Sequence, residues 1–193
     1  MLETLILMRH AESVFNARGV LNADPTTPGG LTERGRAQAD AARQRLANTR
    51  IDLCVTTDFQ RALETADIAV RGRGIRRLVM PVLNDPSNGK FELRPAHELE
   101  EWQRANGPDV PLPGTGRTLR SCFQDTHAAV DKLVMRTDGT VLAILHGLTV
   151  GWILRSSGFR SLPDQAQPAV LSVRRIQRFL ADTEDDVLRF WSS

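Results

Sequence analysis

Leu5-Ile6-Leu7-Met8-Arg9-His10-Ala11-Glu12-Ser13 is the stretch of this chain that decides its fold. The apolar run predicts a buried strand over about Thr4–Arg9, which delivers an arginine and a histidine side by side at its carboxyl end. The arginine can hold phosphate oxygens through its fork of N–H donors. The histidine can be neutral near pH 7 and can serve as a nucleophile or a proton carrier. The pair therefore points to phosphate chemistry, provided that other segments supply partners for it.

Further apolar segments alternate with helical patterns along the chain. Strands are predicted at 51–55, 76–82, 141–145, 170–174 and 187–190, and helices at 34–47, 59–70, 97–105, 118–135 and 148–155. Asp58 is a natural N-cap for the helix that begins at Phe59. Strands that alternate with helices predict an α/β fold, a three-layer α/β/α sandwich with a mainly parallel central sheet. A length of 193 residues suits one domain over residues 1–193.

The composition excludes several classes of protein. The formal net charge is +2, and the arginines are spread among acidic residues, unlike the basic stripe of a nucleic-acid-binding protein. No apolar stretch reaches membrane-spanning length, and the opening Met1-Leu-Glu-Thr lacks the basic segment of a signal peptide. Cys54 and Cys122 are isolated, which excludes a zinc site and a disulfide framework, and both are expected to be small buried residues. The sequence thus predicts a cytoplasmic protein that binds neither nucleic acid nor a membrane.

Two other segments supply basic partners for the Arg-His pair. His146 ends the predicted strand at 141–145, and Arg61 falls on the first turn of the helix that follows the strand at 51–55. In open α/β sheets, ligands bind beyond the carboxyl ends of the strands, so His10 and His146 are expected at one rim. The first turn of the helix adds free N–H groups and a positive dipole end for an anion.

These residues lie in blocks that resemble the histidine phosphatase superfamily, in its phosphoglycerate-mutase-like branch. The family signature Arg-His-Gly-Glu-Thr followed by Asn is similar to Arg9-His10-Ala11-Glu12-Ser13 with Asn16. The Leu-Thr-x-x-Gly helix start, the Ser-Ser-x-x-x-Arg-Ala-x-x-Thr-Ala block and the late His-Gly of the family are matched, in the same order, by Leu31–Gly35, Thr56–Ala66 and His146-Gly147. The fold that this resemblance implies is phosphoglycerate mutase-like, over about the whole chain.

The resemblance also implies a role for each residue of the pocket. His10 would take the phosphoryl group as a phosphohistidine. The phosphoryl oxygens would be bound by Arg9, Arg61 and a cationic His146, and Asn16 would contact the phosphate or the substrate. Neighbouring positive charge lowers the pKa of an imidazole, which fits a neutral His10. Phosphoryl transfer needs chiefly positioning and electrostatic stabilisation, so neither a metal nor another cofactor is expected.

The proton donor is the point at which this chain departs from the family pattern. The family often has a Glu four residues before a Gly, whereas Asp85 stands at that position here, with Gly89, Phe91 and Glu92 matching the residues that follow. Asp is one methylene shorter than Glu, so the backbone must come closer or the substrate must lie differently. Asp85 is the first candidate for the acid, and Glu92 is the alternative. A second departure, Thr115-Gly116-Arg117-Thr118 in place of Gly-Glu-Ser, leaves substrate specificity open.

The resemblance and the chain length favour a phosphatase that hydrolyses small phosphomonoesters. Related mutases have extra segments that close over a bisphosphate, and 193 residues leave little for such a lid. Mutase-type phosphoryl transfer and a non-catalytic phosphate-binding module are the alternatives. The expected partner is a phosphorylated small molecule, and a homodimer is left open. His97 and His127 are expected to be surface or packing residues, and Trp102 is a candidate for lining the pocket.

Overall fold

The computed structural model describes residues 1–181 of the chain. The strands of this part are β1 (Leu2–Arg9), β2 (Leu53–Thr56), β3 (Arg76–Val79), β4 (Gly139–Leu145) and β5 (Ala169–Ser172). The helices are α1 (Val14–Arg18), α2 (Glu33–Arg45), α3 (Gln60–Ala69), α4 (Ala96–Asn106), α5 (Leu119–Arg136), α6 (Gly147–Ser156) and α7 (Val173–Ala181). None of these helices is long and apolar enough to cross a membrane. The strand predicted at 187–190 lies outside the described residues.

The strands form a sheet in the order β3-β2-β4-β1-β5. Neighbouring strands from β3 to β1 run parallel, and β5 lies antiparallel along the free edge of β1. The predicted α/β fold with a mainly parallel sheet is therefore confirmed, with one antiparallel edge strand.

β1 shows why helices cover both faces of the sheet. Successive side chains of a strand point to opposite faces, so Leu5 and Leu7 enter one apolar cluster and Ile6 and Met8 enter another. The first cluster includes side chains of α5, α6 and α7, and the second includes those of α2 and α3. Full burial of each such side chain contributes about 1.5–3 kcal/mol. The result is the three-layer α/β/α sandwich expected from the sequence.

The pairing of β1 with β4 sets the position of the two histidines. The strands run parallel with Arg9 opposite Leu145, and the His10 amide donates a hydrogen bond to the Leu145 carbonyl at 2.8 Å. Each strand ends one residue before its histidine. His10 and His146 therefore emerge from neighbouring strands at the same edge of the sheet.

Asp58 does not cap α3, which corrects a prediction from the sequence. The helix begins at Gln60, with Phe59 at the N-cap position and no hydrogen bond from a capping side chain. The Phe59 ring is 1% exposed and its centroid lies 4.8 Å from that of His146, so apolar packing fixes the start of the helix. Asp58 instead accepts a hydrogen bond from Asn84 Nδ2 at 2.7 Å, and thereby holds the loop that follows β3.

β3 and Cys122 also differ from the predictions. β3 stops at Val79 rather than residue 82, because Pro81 has no N–H to donate to the sheet and starts a short 3-10 turn over Pro81–Leu83. Cys54 is buried as expected, whereas Cys122 on α5 is only partly buried.

Gly35 allows α2 to pack against the backbone just after His10. A Cβ at this position would overlap the carbonyl oxygen of Glu12, which also accepts a hydrogen bond from the Thr32 amide at 3.0 Å. We expect Gly35→Ala to lower the free energy of unfolding by about 1–3 kcal/mol, the usual cost of overpacking, when it is measured by urea denaturation. Ala37→Ser, at an exposed position of the same helix, is the control and should change it by less than about 0.5 kcal/mol. Equal stability of Gly35→Ala and the unchanged protein would contradict this packing.

Candidate active site

His10, His146 and Arg61 form one buried cluster where β1 and β4 end and α3 begins. Their side chains belong to residues that are 2%, 0% and 4% exposed, respectively. The two imidazole centroids are 5.2 Å apart. The Arg61 guanidinium bonds both rings, with Nε 3.1 Å from His10 Nε2 and Nη2 3.2 Å from His146 Nδ1. Three residues predicted from separate segments thus meet at one point.

His10 presents an unprotonated nitrogen to the pocket. Its Nδ1 donates a hydrogen bond to the Ala11 carbonyl at 2.8 Å, so the proton of a neutral ring is placed there and Nε2 keeps its lone pair. That lone pair accepts the hydrogen bond from Arg61. Burial, followed by the proximity of His146 and Arg61, lowers the pKa of His10 well below 6.5. The ring is therefore neutral at physiological pH, as expected, and Nε2 is its nucleophilic atom.

His146 is neutral too in the ligand-free pocket, so the cationic ring expected in phosphate binding stays a prediction. Arg61 donates to His146 Nδ1, so the ring proton lies on Nε2 and is donated to Thr57 Oγ1 at 2.9 Å. Burial and then the positive charges of Arg61 and Arg9 lower the pKa of His146 well below 6.5. Two guanidinium groups next to a buried imidazole disfavour a third positive charge until an anion enters the pocket.

Arg61 is held in place by Asn22, a residue that the sequence did not indicate. Its Nη1 donates to Asn22 Oδ1 at 2.8 Å and its Nη2 to the Asn22 carbonyl at 3.0 Å. The guanidinium also lies over the Phe59 ring, 4.1 Å from its centroid, a favourable cation–π geometry. An asparagine in a loop rich in proline and glycine is typical of an ordinary turn, so its sequence context gave no signal of this contact.

Arg9 lies beside the first residue of α6. A Cβ on Gly147 would be 3.1 Å from Arg9 Cζ, which explains why a glycine suits the position after His146. Arg9 Nε is buried and has no hydrogen-bond partner. An unpaired buried N–H group is costly, and the start of a helix also offers free amide donors. Both features favour an anion in the space between Arg9 and α6.

Asp85 reaches the same cluster despite its short side chain. Its Oδ2 is 3.5 Å from His146 Nδ1 and 3.8 Å from Arg61 Nη2, while its Oδ1 is buried without a hydrogen-bond partner. Burial raises the pKa of Asp85 to about 6, against the opposing effect of Arg61 and Arg9. With a pKa of about 6, about one tenth of the Asp85 side chains carry a proton at pH 7 and can donate it.

Asn16 and Glu92, the other two candidates from the sequence, differ in their placement. Asn16 lines the cavity in front of His10, and its Oδ1 accepts hydrogen bonds from the Ser13 amide at 3.2 Å and from Gln165 Nε2 at 3.1 Å. Glu92 is outside the set of residues that line the cavity. Its carboxylate instead accepts hydrogen bonds from the Ala23 amide, at 2.9 Å, and from Asn88 Nδ2, also at 2.9 Å.

The cavity has a volume of about 1410 Å³, enough for a small molecule. Arg9, His10, Arg61 and Asp85 are among the residues that line it, whereas His146, which is 0% exposed, is not part of the lining. Trp102 lines the cavity, together with Phe15 and Leu148, although packing was the favoured interpretation of this residue from the sequence. His97 is exposed on α4, and the ring of His127 packs 5.0 Å from that of Phe179; neither histidine lines the cavity.

The geometry suits transfer of a phosphoryl group. A neutral imidazole nitrogen supplies the nucleophile, two arginines supply donors for phosphate oxygens, and a carboxyl group with a raised pKa supplies a proton. Among residues 1–181, no three His, Cys, Asp or Glu side chains are grouped so that they could hold a metal ion.

Comparisons with known proteins identify the family and the fold of this chain. The model of the histidine phosphatase superfamily (branch 1) matches residues 5–177. A protein of Yersinia pestis (strain Pestoides F) named "Probable phosphoglycerate mutase GpmB" is 30% identical over 168 residues, which cover 83% of this chain and 76% of that protein. The crystal structure of the alpha-ribazole phosphatase from Shigella flexneri is similar with a TM-score of 0.74 and 22% identity, over 88% of this chain and 90% of the other. YhfR of Bacillus stearothermophilus gives a TM-score of 0.76 and 24% identity, over 90% and 92% of the two chains. The phosphoglycerate mutase-like fold expected from the sequence is thus confirmed.

The charge state of the two histidines can be tested by NMR of the ¹⁵N-labelled imidazoles. In the ligand-free protein we expect both rings to stay neutral between about pH 8 and about pH 6. Unfolding in urea should return the pKa of each imidazole to about 6.5. His10 should carry its proton on Nδ1 and His146 on Nε2. Added inorganic phosphate should raise the pKa of His146, because a nearby anion favours the charged ring. Double protonation of His146 at neutral pH without phosphate would contradict the assignment.

Proposed function

This chain belongs to the histidine phosphatase superfamily, branch 1, and we propose that it is a phosphatase that hydrolyses small phosphomonoesters through a phosphohistidine on His10. The observation that carries the proposal is the unprotonated Nε2 of His10 beside Arg61, with Asp85 across the same pocket. A solved structure of the same fold is a phosphatase, which is consistent with hydrolysis.

In the first step, His10 Nε2 attacks the phosphorus atom of the bound ester. The phosphoryl oxygens take the place of His10 as a partner of Arg61 Nε and also accept from the unpaired Nε of Arg9. A new N–P bond forms while the P–O bond to the alcohol breaks, and Asp85 gives its proton to the departing oxygen. The negative charge on the phosphoryl oxygens is stabilised by the fixed guanidinium donors.

In the second step, water attacks the phosphohistidine. Asp85, now a carboxylate, accepts a proton from the water, an O–P bond forms and the N–P bond breaks. The electron pair returns to His10 Nε2 and inorganic phosphate leaves. Exchange of the acid and base roles by one carboxyl group follows from the opposite proton demands of the two steps.

Phosphoglycerate mutase-type transfer is the second candidate, and the similarity to the Yersinia protein favours it. A bisphosphate intermediate would bring a second strongly anionic group into the outer cavity. The described wall outside the phosphate pocket carries three basic and four acidic side chains: Arg34, Arg45, Arg117, Glu12, Glu100, Asp125 and Asp164. Arg34 lies 3.4 Å from Glu12 and Arg117 is paired with Asp125. This balance supports a substrate with a single phosphoryl group.

Removal of the nucleophile tests the proposal directly. His10→Ala should lower the rate of p-nitrophenyl phosphate hydrolysis by at least about a thousandfold, since no remaining group can form the covalent intermediate. Exposed His97 lies outside the cavity, so His97→Ala is the control and should keep full activity. The unchanged enzyme should be equally active in EDTA. Turnover by His10→Ala, or a strict need for added metal, would contradict the proposal.

Two other outcomes would favour the alternative functions. If the unchanged protein hydrolyses no phosphoester, that result would support a non-catalytic phosphate-binding module. Release of 2-phosphoglycerate rather than inorganic phosphate from 3-phosphoglycerate, with 2,3-bisphosphoglycerate as primer, would support the mutase.

The role of Asp85 can be tested by comparing good and poor leaving groups. Asp85→Asn should lower kcat/KM on phenyl phosphate by about a hundredfold or more and on p-nitrophenyl phosphate far less, since nitrophenolate needs little protonation. Because the acid must carry its proton and its pKa is about 6, kcat/KM of the unchanged enzyme on phenyl phosphate should fall as the pH rises above about 6. The variant should lack this fall, while ionisation of the substrate affects both enzymes equally.

Asp131→Asn, an exposed change on α5, is the matched control for Asp85→Asn. It should leave both the rate and the pH profile unaltered. Equal losses on the two esters, or an alkaline fall that persists in Asp85→Asn, would assign the proton to another group.

A further inference from the structure

Glu92 joins two loops, one that is bonded to Arg61 and one that carries Asp85. Its Oε1 accepts hydrogen bonds from the Ala23 amide at 2.9 Å and from Asn22 Nδ2 at 3.4 Å. Its Oε2 accepts from Asn88 Nδ2 at 2.9 Å and from the Ala23 amide at 3.1 Å. One carboxylate therefore accepts hydrogen bonds from residues 22–23 of the first loop and from residue 88 of the second.

The first of these loops controls the position of Arg61. Asn22 is 8% exposed. Its side-chain oxygen accepts a hydrogen bond from Arg61 Nη1, and its backbone carbonyl accepts one from Arg61 Nη2. Its remaining amide group is turned to Glu92 and to the Asp24 carbonyl. Glu92 thus fixes the rotamer of the residue that fixes Arg61.

The second loop carries the proposed proton donor. Asn88 is also 8% exposed and stands three residues after Asp85 in the segment between the two short 3-10 turns, Pro81–Leu83 and Gly89–Phe91. Asp58 holds this segment at its start through Asn84, and Glu92 holds it at its end. Asp85 lies between the two points of attachment.

The backbone next to Glu92 is strained. Leu93 has φ of 59°, a left-handed conformation that costs a residue with a Cβ about 1 kcal/mol or more. Its amide donates to the Leu21 carbonyl at 3.2 Å, and the Leu21 amide donates to the Arg94 carbonyl at 2.9 Å. These bonds hold residues 92–94 against residues 21–23. Such strain persists where the surrounding structure over-determines the conformation.

We propose that Glu92 is a positioning residue, which sets the distance between the phosphate-binding Arg61 and the proton donor Asp85 by binding Asn22 and Asn88 with one carboxylate. This inference rests on the proposed phosphatase function. A carboxylate suits the task because it offers only acceptors to the N–H groups around it. A glutamine of the same shape would turn an NH₂ group toward one of these donors and release one of the loops.

Glu92→Gln is the variant that tests this role. A displacement of about 1 Å can cost about a hundredfold in rate, so we expect kcat/KM on phenyl phosphate to fall by about ten- to a hundredfold. The loss on p-nitrophenyl phosphate should be smaller but measurable, and the inhibition constant of inorganic phosphate should rise, because Arg61 is released. The fall in kcat/KM above about pH 6 should remain, because Asp85 still supplies the proton.

Two further variants separate positioning from general loss of structure. Glu98 is a partly buried carboxylate that pairs with Arg94 and does not line the cavity, so Glu98→Gln should leave kcat/KM on both esters, the inhibition constant of phosphate and the pH profile unchanged. Asn88→Ala frees the Asp85 loop alone. It should lower activity on phenyl phosphate more than on p-nitrophenyl phosphate and leave phosphate inhibition unaltered. Asn88→Ala also carries the test if Glu92→Gln fails to fold.

Three outcomes would overturn the inference. Loss of the alkaline fall in Glu92→Gln would make Glu92 the acid itself. Unchanged kinetics of Glu92→Gln, or equal effects of Asn88→Ala on both esters and on phosphate inhibition, would leave it no positioning role. Failure of the proposed function is seen separately, because the unchanged enzyme would then release no phosphate from either ester.

Discussion

The Arg61 guanidinium is the group on which the rest of the site depends. Removing such a charge from water costs on the order of several kcal/mol unless it is fully bonded, and the surrounding chain supplies the partners. Asn22 accepts two of its hydrogen bonds, the Phe59 ring covers one face, and the Asp85 carboxylate lies 3.8 Å away. The remaining donors point at His10 and His146. The same N–H groups that hold the imidazoles in the ligand-free protein are thus in place to bind phosphoryl oxygens.

The position of Arg61 also sets the protonation of its neighbours. Burial is the largest cause of the lowered pKa of both histidines, and the guanidinium adds to it. Burial has the opposite effect on Asp85, whose pKa rises to about 6. One positively charged pocket therefore keeps His10 unprotonated and leaves a fraction of Asp85 protonated near neutral pH, as the two steps of phosphoryl transfer require. An entering phosphate shifts this balance toward a charged His146.

The sequence indicated the residues that strand topology places, and the family resemblance added Asp85 on a loop, but Asn22 and the hydrogen bonds of Glu92 were missed. Arg9, His10 and His146 follow buried strands, and Arg61 begins a helix after another strand, so parallel pairing alone brings them to one rim. Asn22 and the bonding of Glu92 depend on how two irregular loops approach each other across about 70 residues of chain, which no local pattern encodes. The neutral state of His146 in the ligand-free pocket depends on burial and on two nearby arginines, which its sequence context does not show. Asp58 was misassigned as a cap because packing of Phe59, rather than local hydrogen bonding, starts the helix.

Covalent phosphorylation of His10 is the central step of the proposed reaction. Rapid mixing with p-nitrophenyl phosphate followed by an alkaline quench measures it most directly, since a phosphohistidine survives in base. Mass spectrometry of the quenched chain should find one added phosphoryl group in the peptide that contains His10, formed and lost at rates consistent with turnover. Phosphate release without any phosphorylated intermediate, or a phosphoryl group on another residue, would contradict the account.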